Sequence, residues 1–292
     1  MDWIDAHHHL WDLGRIEYPW LMARGEARFF GQPDPIRKDY LPADYRRDTA
    51  GRIVQSVHVQ VGARPGLEIA ETAFVAECSE ASGGTLPAAA VVAVDMGVAD
   101  IGPALDAQLV FPVTRGVRHM IGKSQKENAT LEPFRPEAWI PNFRRLARRG
   151  LSFDLQLTED QYRIVLEALE QVPALRVALC HFGSPWDRSD EGFRRWVGWM
   201  RRFAELPEFT IKLSGLAMFL HGWDEELFMR YGETALEIFG AGRCMLGSNF
   251  PVDSLYLGYG QLFDAWVQLA GSCTPVEAEL LAAGTARAFY RL

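Results

Sequence analysis

The chain is poor in cysteine, and its four cysteines, Cys78, Cys180, Cys244 and Cys273, stand far apart with no CxxC pair. That excludes a disulfide framework or a zinc ribbon and fits reduced thiols in a reducing compartment. The start, MDWIDAHHH, has no basic segment leading into an apolar one. No run approaches the roughly 18 apolar residues of a membrane span. A secreted or membrane protein is therefore not expected, and a cytoplasmic one is. A basic surplus is missing too: 30 Lys and Arg stand against 38 Asp and Glu, a net charge of −8. This counts against a nucleic-acid partner held by phosphate neutralisation. Finally, no Ser/Gly-rich tract, charge block or short repeat interrupts the chain, and no GxGxxG or GxxxxGK[ST] follows any strand-like run. The last absence disfavours a doubly wound nucleotide-binding sheet.

What is present is material for a large core, 48% hydrophobic residues in a chain of 292. Short β-like runs alternate with longer helical patterns. Eight runs read as strands: 3–9, 53–61, 88–95, 114–121, 152–157, 176–181, 209–214 and 244–249. Helices are expected at about 67–82, 98–108, 136–149, 159–172, 190–205, 224–239, 258–270 and 275–288. Thr158 and Gln161 have capping-box spacing, and Thr274-Pro275-Val276-Glu277 reads as a helix start. Eight strand-then-helix units predict an α/β fold, a single-domain (β/α)₈ TIM barrel over 1–292. Residues 11–52 have no clean period and read as a long loop after strand one, on the active-site side.

Three strands alternate polar with apolar residues: Ser56, His58 and Gln60; Ser152, Asp154 and Gln156; Thr210, Lys212 and Ser214. Because strand side chains alternate sides, each stripe is expected to point into the barrel. Within Asp5-Ala6-His7-His8-His9-Leu10-Trp11, His7 and His9 share a face and His8 opposes them. His181, in Cys180-His181-Phe182-Gly183-Ser184-Pro185, ends a strand at a Gly/Pro turn, where barrel active sites lie. Asn249 ends the last strand in Gly247-Ser248-Asn249-Phe250-Pro251, and Asp253 follows four residues on.

Taken in order, DAHHHLW, GVRHMI, CHFGSP, LGSNFPV and the closing GTARAFYRL resemble the amidohydrolase superfamily. The nearer likeness is to the branch of 2-pyrone-4,6-dicarboxylate lactonase and the sugar-lactone lactonases. The resemblance spans residues 2–292. It implies a (β/α)₈ barrel that hydrolyses a lactone, with His7, His9 and His181 in the site. It also implies that Arg118, in the GVR motif, contacts substrate oxygens. Two departures stand out: Asn249 replaces the usual strand-eight Asp, and strand five carries Asp154 and Gln156 without a His. With no strand-four Lys either, a binuclear centre on a carbamylated lysine is not expected.

An asparagine cannot take the proton of the attacking water; its amide can orient that water. Two routes stay open. In one, a divalent ion such as Zn²⁺ on His7, His9 and His181 lowers the pKa of its bound water to about 7. In the other no metal binds, and a histidine or a carboxylate, Asp154 or Asp253, is the general base, with His and Arg118 steadying the oxyanion. Lys212 either pairs with Asp154 or, like His58 on its stripe, binds substrate. Trp11, Trp20, Tyr18 and Trp186 offer aromatic faces to a sugar ring or pack a lid. His119 reads as packing, and His221 lines the mouth. The leading reading is lactone hydrolysis; the alternatives are metal-dependent decarboxylation of an aromatic or enol acid, an amide or ester hydrolase, and a binding protein.

Overall fold

The computed structural model describes residues 1–121 and 134–292. Eight strands form one sheet: β1 (Ile4–His8), β2 (Gln55–Val59), β3 (Ala89–Ala93), β4 (Thr114–Arg118), β5 (Ser152–Leu155), β6 (Val177–Leu179), β7 (Phe209–Leu213) and β8 (Cys244–Leu246). Each pairs in parallel with the next in sequence. The ring closes where β8 meets β1. There the Asn249 N–H donates to the His7 carbonyl at 2.7 Å, and the His9 N–H to the Phe250 carbonyl at 2.8 Å. Helices return the chain between strands, so the fold is the expected (β/α)₈ barrel. Among the described residues no helix is long and apolar enough to cross a membrane.

The two faces of the wall pack differently. Val57, Val59, Ala89, Val91, Ala178 and Met245 join Ile4 and Ala6 in one buried cluster inside the ring. Ala286, Phe289 and Tyr290 of the last helix complete that cluster and close the N-terminal end of the barrel. Phe153, Leu155, Ile211, Leu213 and Leu246 face outward, into the larger cluster that the helices cover. Small residues recur inside because strand walls approach closely. A Cβ on Gly247 would come within 2.8 Å of the His7 Cβ, so the seam needs a glycine there.

The outer faces explain one correction. On β5 and β7 the polar stripe does point inward, but on β2 it is the valines that do. The register settles this: His58 is level with Ala90, of the outer cluster, and Val57 with Ala89, of the inner one. His58 therefore stands outside the barrel wall, where its Nδ1 accepts from the Leu10 N–H at 3.1 Å. Alternating residues on a strand give two stripes without saying which faces inward, and valine fills a narrow barrel well.

The segment after β1 is more structured than its sequence suggests. It contains helices Pro19–Met22 and Pro42–Thr49, and a further short helix, Leu216–Leu220, follows β7. It crosses the barrel mouth, as expected of that loop. His221 Nε2 donates to the Phe29 carbonyl at 2.6 Å, and the Tyr256 hydroxyl to that of Phe30 at 2.6 Å. Near the C-terminus the expected helix is broken by a wider turn at Leu280–Gly284. The helix start read at Thr274–Glu277 forms, and it carries a capping box.

Asp5 holds the seam. Its carboxylate, wholly buried, accepts from the His7 N–H (3.1 Å), the Ser248 N–H (2.9 Å), the Tyr45 hydroxyl (2.9 Å) and the Tyr259 hydroxyl (3.3 Å). Replacing Asp5 by Ala strands four buried donors, and stability is expected to fall by about 3 kcal/mol or more. Urea unfolding of the Asp5→Ala variant measures this; a loss under about 1 kcal/mol would show that the clamp does not hold the barrel closed.

Candidate active site

The histidines at the end of β1 owe their aim to a bulge. Asp5 pairs with Ser56 but His8 with His58, so β1 carries one residue more than β2 between those points. The extra residue turns Ala6 and His7 both inward and leaves His8 outside, stacked on Tyr45 with ring centres 4.2 Å apart. His7 then meets His9 at 5.1 Å and His181 at 4.4 Å between ring centres. The imidazoles of strands one and six therefore share one chamber at the C-terminal end of the barrel.

His181 reaches it through a strained turn. His181, Phe182, Gly183 and Ser184 all have positive φ, of 56°, 52°, 74° and 64°. Non-glycine residues rarely adopt this conformation, and each costs roughly 1–3 kcal/mol. The turn is held from outside: the Trp196 indole donates to the Phe182 carbonyl at 2.7 Å, and the Tyr162 hydroxyl to that of Gly183. His181 Nδ1 lies 2.9 Å from the Ser214 hydroxyl. Asn249 also has positive φ, 56°, and its carboxamide spans two neighbours. Its Nδ2 donates to Asp253 Oδ1 at 2.8 Å and lies 3.4 Å from the Met218 sulfur. Its Oδ1 sits 3.3 Å from His9 Nε2. His9 Nδ1 donates to the Val59 carbonyl at 2.7 Å, which leaves Nε2 with the lone pair.

Arg118 enters from β4. Its guanidinium donates to the Gln60 carbonyl and to Gln156 Oε1 (3.2 Å), and its buried Nε has no partner. Among the described residues it forms no ion pair. Burial lowers its pKa, and the charges of Asp154 and Glu71 act on it the other way without forming a salt bridge.

Four expected site residues take other roles. Asp154 lies below the chamber, bound to Lys212 Nζ at 2.5 Å and to the Tyr290 hydroxyl at 2.9 and 3.0 Å. Lys212 also donates to the Ala6 carbonyl at 2.7 Å, and both members of the pair are fully buried. Asp154 is thus a charge partner rather than a free base, and two of the three N–H donors of Lys212 are taken by Asp154 and the Ala6 carbonyl. Trp11 is wholly buried, its indole donating to the Lys38 carbonyl at 2.7 Å, and it packs the segment over the mouth. His58 is outside the wall. Gln60, Gln156, Ser214 and Met218 were not singled out as site residues, although two of the three stripes contain Gln156 and Ser214. Asp5 stood in the first motif without a role.

Burial governs the chemistry. His7, His9 and His181 are held well below the usual imidazole pKa, by desolvation first and by neighbouring positive groups next; for His9 the value falls to about 3. All three are neutral at pH 7, with lone pairs available. Both His7 nitrogens lack any partner although the ring is buried. The ligand atoms of His7, Asp154 and Cys180 lie within 4.8 Å of one another. Nitrogen, oxygen and sulfur donors suit a borderline-soft cation such as Zn²⁺. The expected trio of His7, His9 and His181 does not converge this way: the His7, Asp154 and Cys180 set is the one such group among the described residues. The Nδ1 atoms of His9 and His181 are turned to Val59 and Ser214.

Comparison with known proteins bears on the family and the fold. A family model described as amidohydrolase matches residues 4–292. An uncharacterized protein of Sinorhizobium fredii, y4mH, is 34% identical, over 99% of this chain and 98% of its own. The L-fucono-1,5-lactonase of Burkholderia multivorans is 28% identical, over 99% of this chain and 96% of its own. An amidohydrolase of Burkholderia multivorans, solved with bound HEPES, superposes with a TM-score of 0.80 at 27% identity over the whole of both chains. A second crystal form of an amidohydrolase from that organism, with bound zinc, gives 0.80 at 26% over the same extent.

The buried imidazoles have a consequence for stability. His7, His8, His9, His58 and His181 are all depressed below 6.5 in the fold, and unfolding returns each to about that value. As pH falls from about 6.5 to about 4.5 the unfolded chain takes up protons that the folded chain refuses, so stability falls. The buried carboxyls of Asp5, Glu71 and Asp253 are raised and act the other way, three against five. The imidazoles outnumber the carboxyls, so a net uptake of protons on unfolding is expected in that window. Urea midpoints measured across it should decline with acidity; a flat or rising profile would contradict the burial of these rings as neutral groups.

Proposed function

The chain belongs to the amidohydrolase family, and on that premise we propose that this hydrolase opens a small, sugar-derived lactone by water attack at the ring carbonyl. The observation that carries the reading is the chamber itself. It combines neutral imidazoles, a carboxamide and a buried guanidinium that forms no ion pair among the described residues. Lactone hydrolysis needs a water held for attack and a positive group where the carbonyl oxygen gains charge. His9 Nε2 and Asn249 Oδ1 are two acceptors side by side, and the hydrogens of one water satisfy both. Its oxygen lone pair is then free for the carbonyl carbon. Arg118 has a donor to spare, Nε–H, for the developing oxyanion. The water gives up a proton to His9 Nε2 as it attacks, and the ring oxygen departs as an alkoxide and takes that proton, giving the hydroxy acid. The whole-length likeness to an L-fucono-1,5-lactonase supports the choice of a sugar lactone.

A divalent ion, Zn²⁺ by its donor set, would be held by His7 and Cys180 together with Asp154, and would supply a Lewis acid for the carbonyl. Asp154 would have to share its oxygens with Lys212 and Tyr290. A metal-free enzyme relying on Arg118 is the other arm of this reading. The partner is a small lactone, and the compartment is cytoplasmic.

A pH-indicator screen of five- and six-membered aldonolactones, run beside CO₂ release from aromatic acids, tests the proposal. Acid from at least one lactone is expected. CO₂ without lactone turnover would move the function to decarboxylation. Arg118→Met should cut kcat/KM by about 10²–10³-fold. His181→Ala should abolish turnover while the protein stays folded, and full retention of rate would make His181 a packing residue. Zinc content and rate before and after chelation separate the two arms: a rate lost with the ion and restored by it selects the metal route.

A further inference from the structure

Asp253 is an unusual carboxylate to bury. It is 2% exposed, and among the described residues no positive side chain is one of the groups that act on it. Its hydrogen bonds come from the Asn249 carboxamide and from the backbone N–H groups of Ala217 and Met218, at the start of the helix after β7. Of titratable groups, Tyr256 faces it from its own loop and His9 lies beyond the amide. An uncompensated buried carboxylate is costly. In this chain it comes four residues after a strand-eight position that holds a carboxamide.

The amide can stand either way round in its slot. With its NH₂ toward Asp253 it meets two acceptors, the carboxylate and the Met218 sulfur. That orientation turns Oδ1 to His9 and the chamber. We propose that Asp253 is a positioning residue: by gripping the Asn249 NH₂ it presents the carboxamide oxygen to the reaction centre, supplying at one remove the negative charge that position 249 lacks. The kinetic side of this rests on the hydrolase reading; the orientation of the amide does not.

A protonated Asp253 would reverse the grip, because a carboxylic O–H donates to an amide oxygen and lets the NH₂ swing to His9. Burial pushes Asp253 up to about 7, against the hydrogen bonds that lower it. Its folded value lies above that of a free Asp, so the ionised, gripping form prevails above neutrality. Oδ1 faces inward there and turns away as pH falls through that value.

The chain has three asparagines, so asparagine-selective ¹⁵N labelling yields a spectrum with few side-chain amide pairs. Asn142, whose NH₂ donates to the Met96 and Val98 carbonyls, is an internal control. The Asn249 pair is expected to move with an inflection near pH 7 in the intact protein. It should stay still in Asp253→Asn, with Asp253→Ser as the second variant if the first folds poorly. On whichever lactone is turned over, Asp253→Asn should lower kcat about tenfold or more with KM within about threefold, and flatten the rise of rate with pH. The transposed variant N249D/D253N should recover most of kcat. An Asn249 amide that does not titrate, or titrates unchanged in both variants, would overturn the proposal, and so would an unaltered pH–rate profile. A titrating amide in a protein that opens no lactone would uphold the positioning role and remove the lactonase reading instead.

Discussion

The closure of the barrel between its first and last strands is the constraint on which the rest depends. A ring of parallel strands has one seam that no crossover helix enforces, and here a buried carboxylate fastens it. Asp5 takes N–H groups from both sides of the seam, His7 and Ser248, and two tyrosines from the helices outside. The same few residues carry the chemistry. The His7 carbonyl takes the Asn249 N–H, and the His9 N–H is held by the Phe250 carbonyl. A shift of the seam by one residue would move His7, His9 and Asn249 relative to one another at once. Stability and active-site geometry are thus set by one group of hydrogen bonds.

Inside the ring, polarity is layered. The N-terminal end is apolar and capped by Phe289 and Tyr290. Above it the Asp154–Lys212 pair neutralises itself, with the Tyr290 hydroxyl completing the carboxylate. Above that, the imidazoles are neutral, and Arg118 is a buried cation that forms no ion pair among the described residues. Lys212 and Arg118 both act on the imidazoles of His7 and His181, but of the two only Arg118 is without an ion-pair partner among the described residues. The chamber is therefore positive where a carbonyl oxygen would gain charge and rich in acceptors where a water would be held. That division follows from which cation has a partner, not from the number of charged residues present.

The fold was legible because its signal is repeated. Eight apolar runs spaced by helical patterns leave little choice of architecture, and strand ends were displaced only by a residue or a few. The histidines of strands one and six were legible as well, since a strand fixes which side chains share a face. What was lost is informative. His58 was misread because alternation defines two faces without naming the inner one, and packing of Val57 and Val59 decided it. Asp154 was read either as a free base or as the partner of Lys212, because a sequence does not show whether side chains 58 positions apart meet, and the structure takes the second. The bulge that turns His7 inward leaves no mark in the sequence beyond the run of histidines itself. The helix Pro42–Thr49 had its cap, with the Asp44 carboxylate accepting from the Leu41 N–H, but too few apolar residues to stand out.

The strained turns bear on how much motion this site permits. Four successive residues from His181 to Ser184 hold a left-handed conformation, and Asn249 holds it alone. Such strain persists only where surrounding structure imposes it. On strand six the restraint comes from behind, through Trp196 and Tyr162, whose rings belong to the outer helices. On strand eight it comes from beside, through Asp253 and the seam. The first restraint is neutral and indifferent to pH, because an indole N–H and a phenol change nothing near neutrality. The second runs through a carboxylate whose charge changes near pH 7. Of the two strand ends that frame the chamber, one is therefore fixed, and the other is free to respond to protonation without any rearrangement of the barrel.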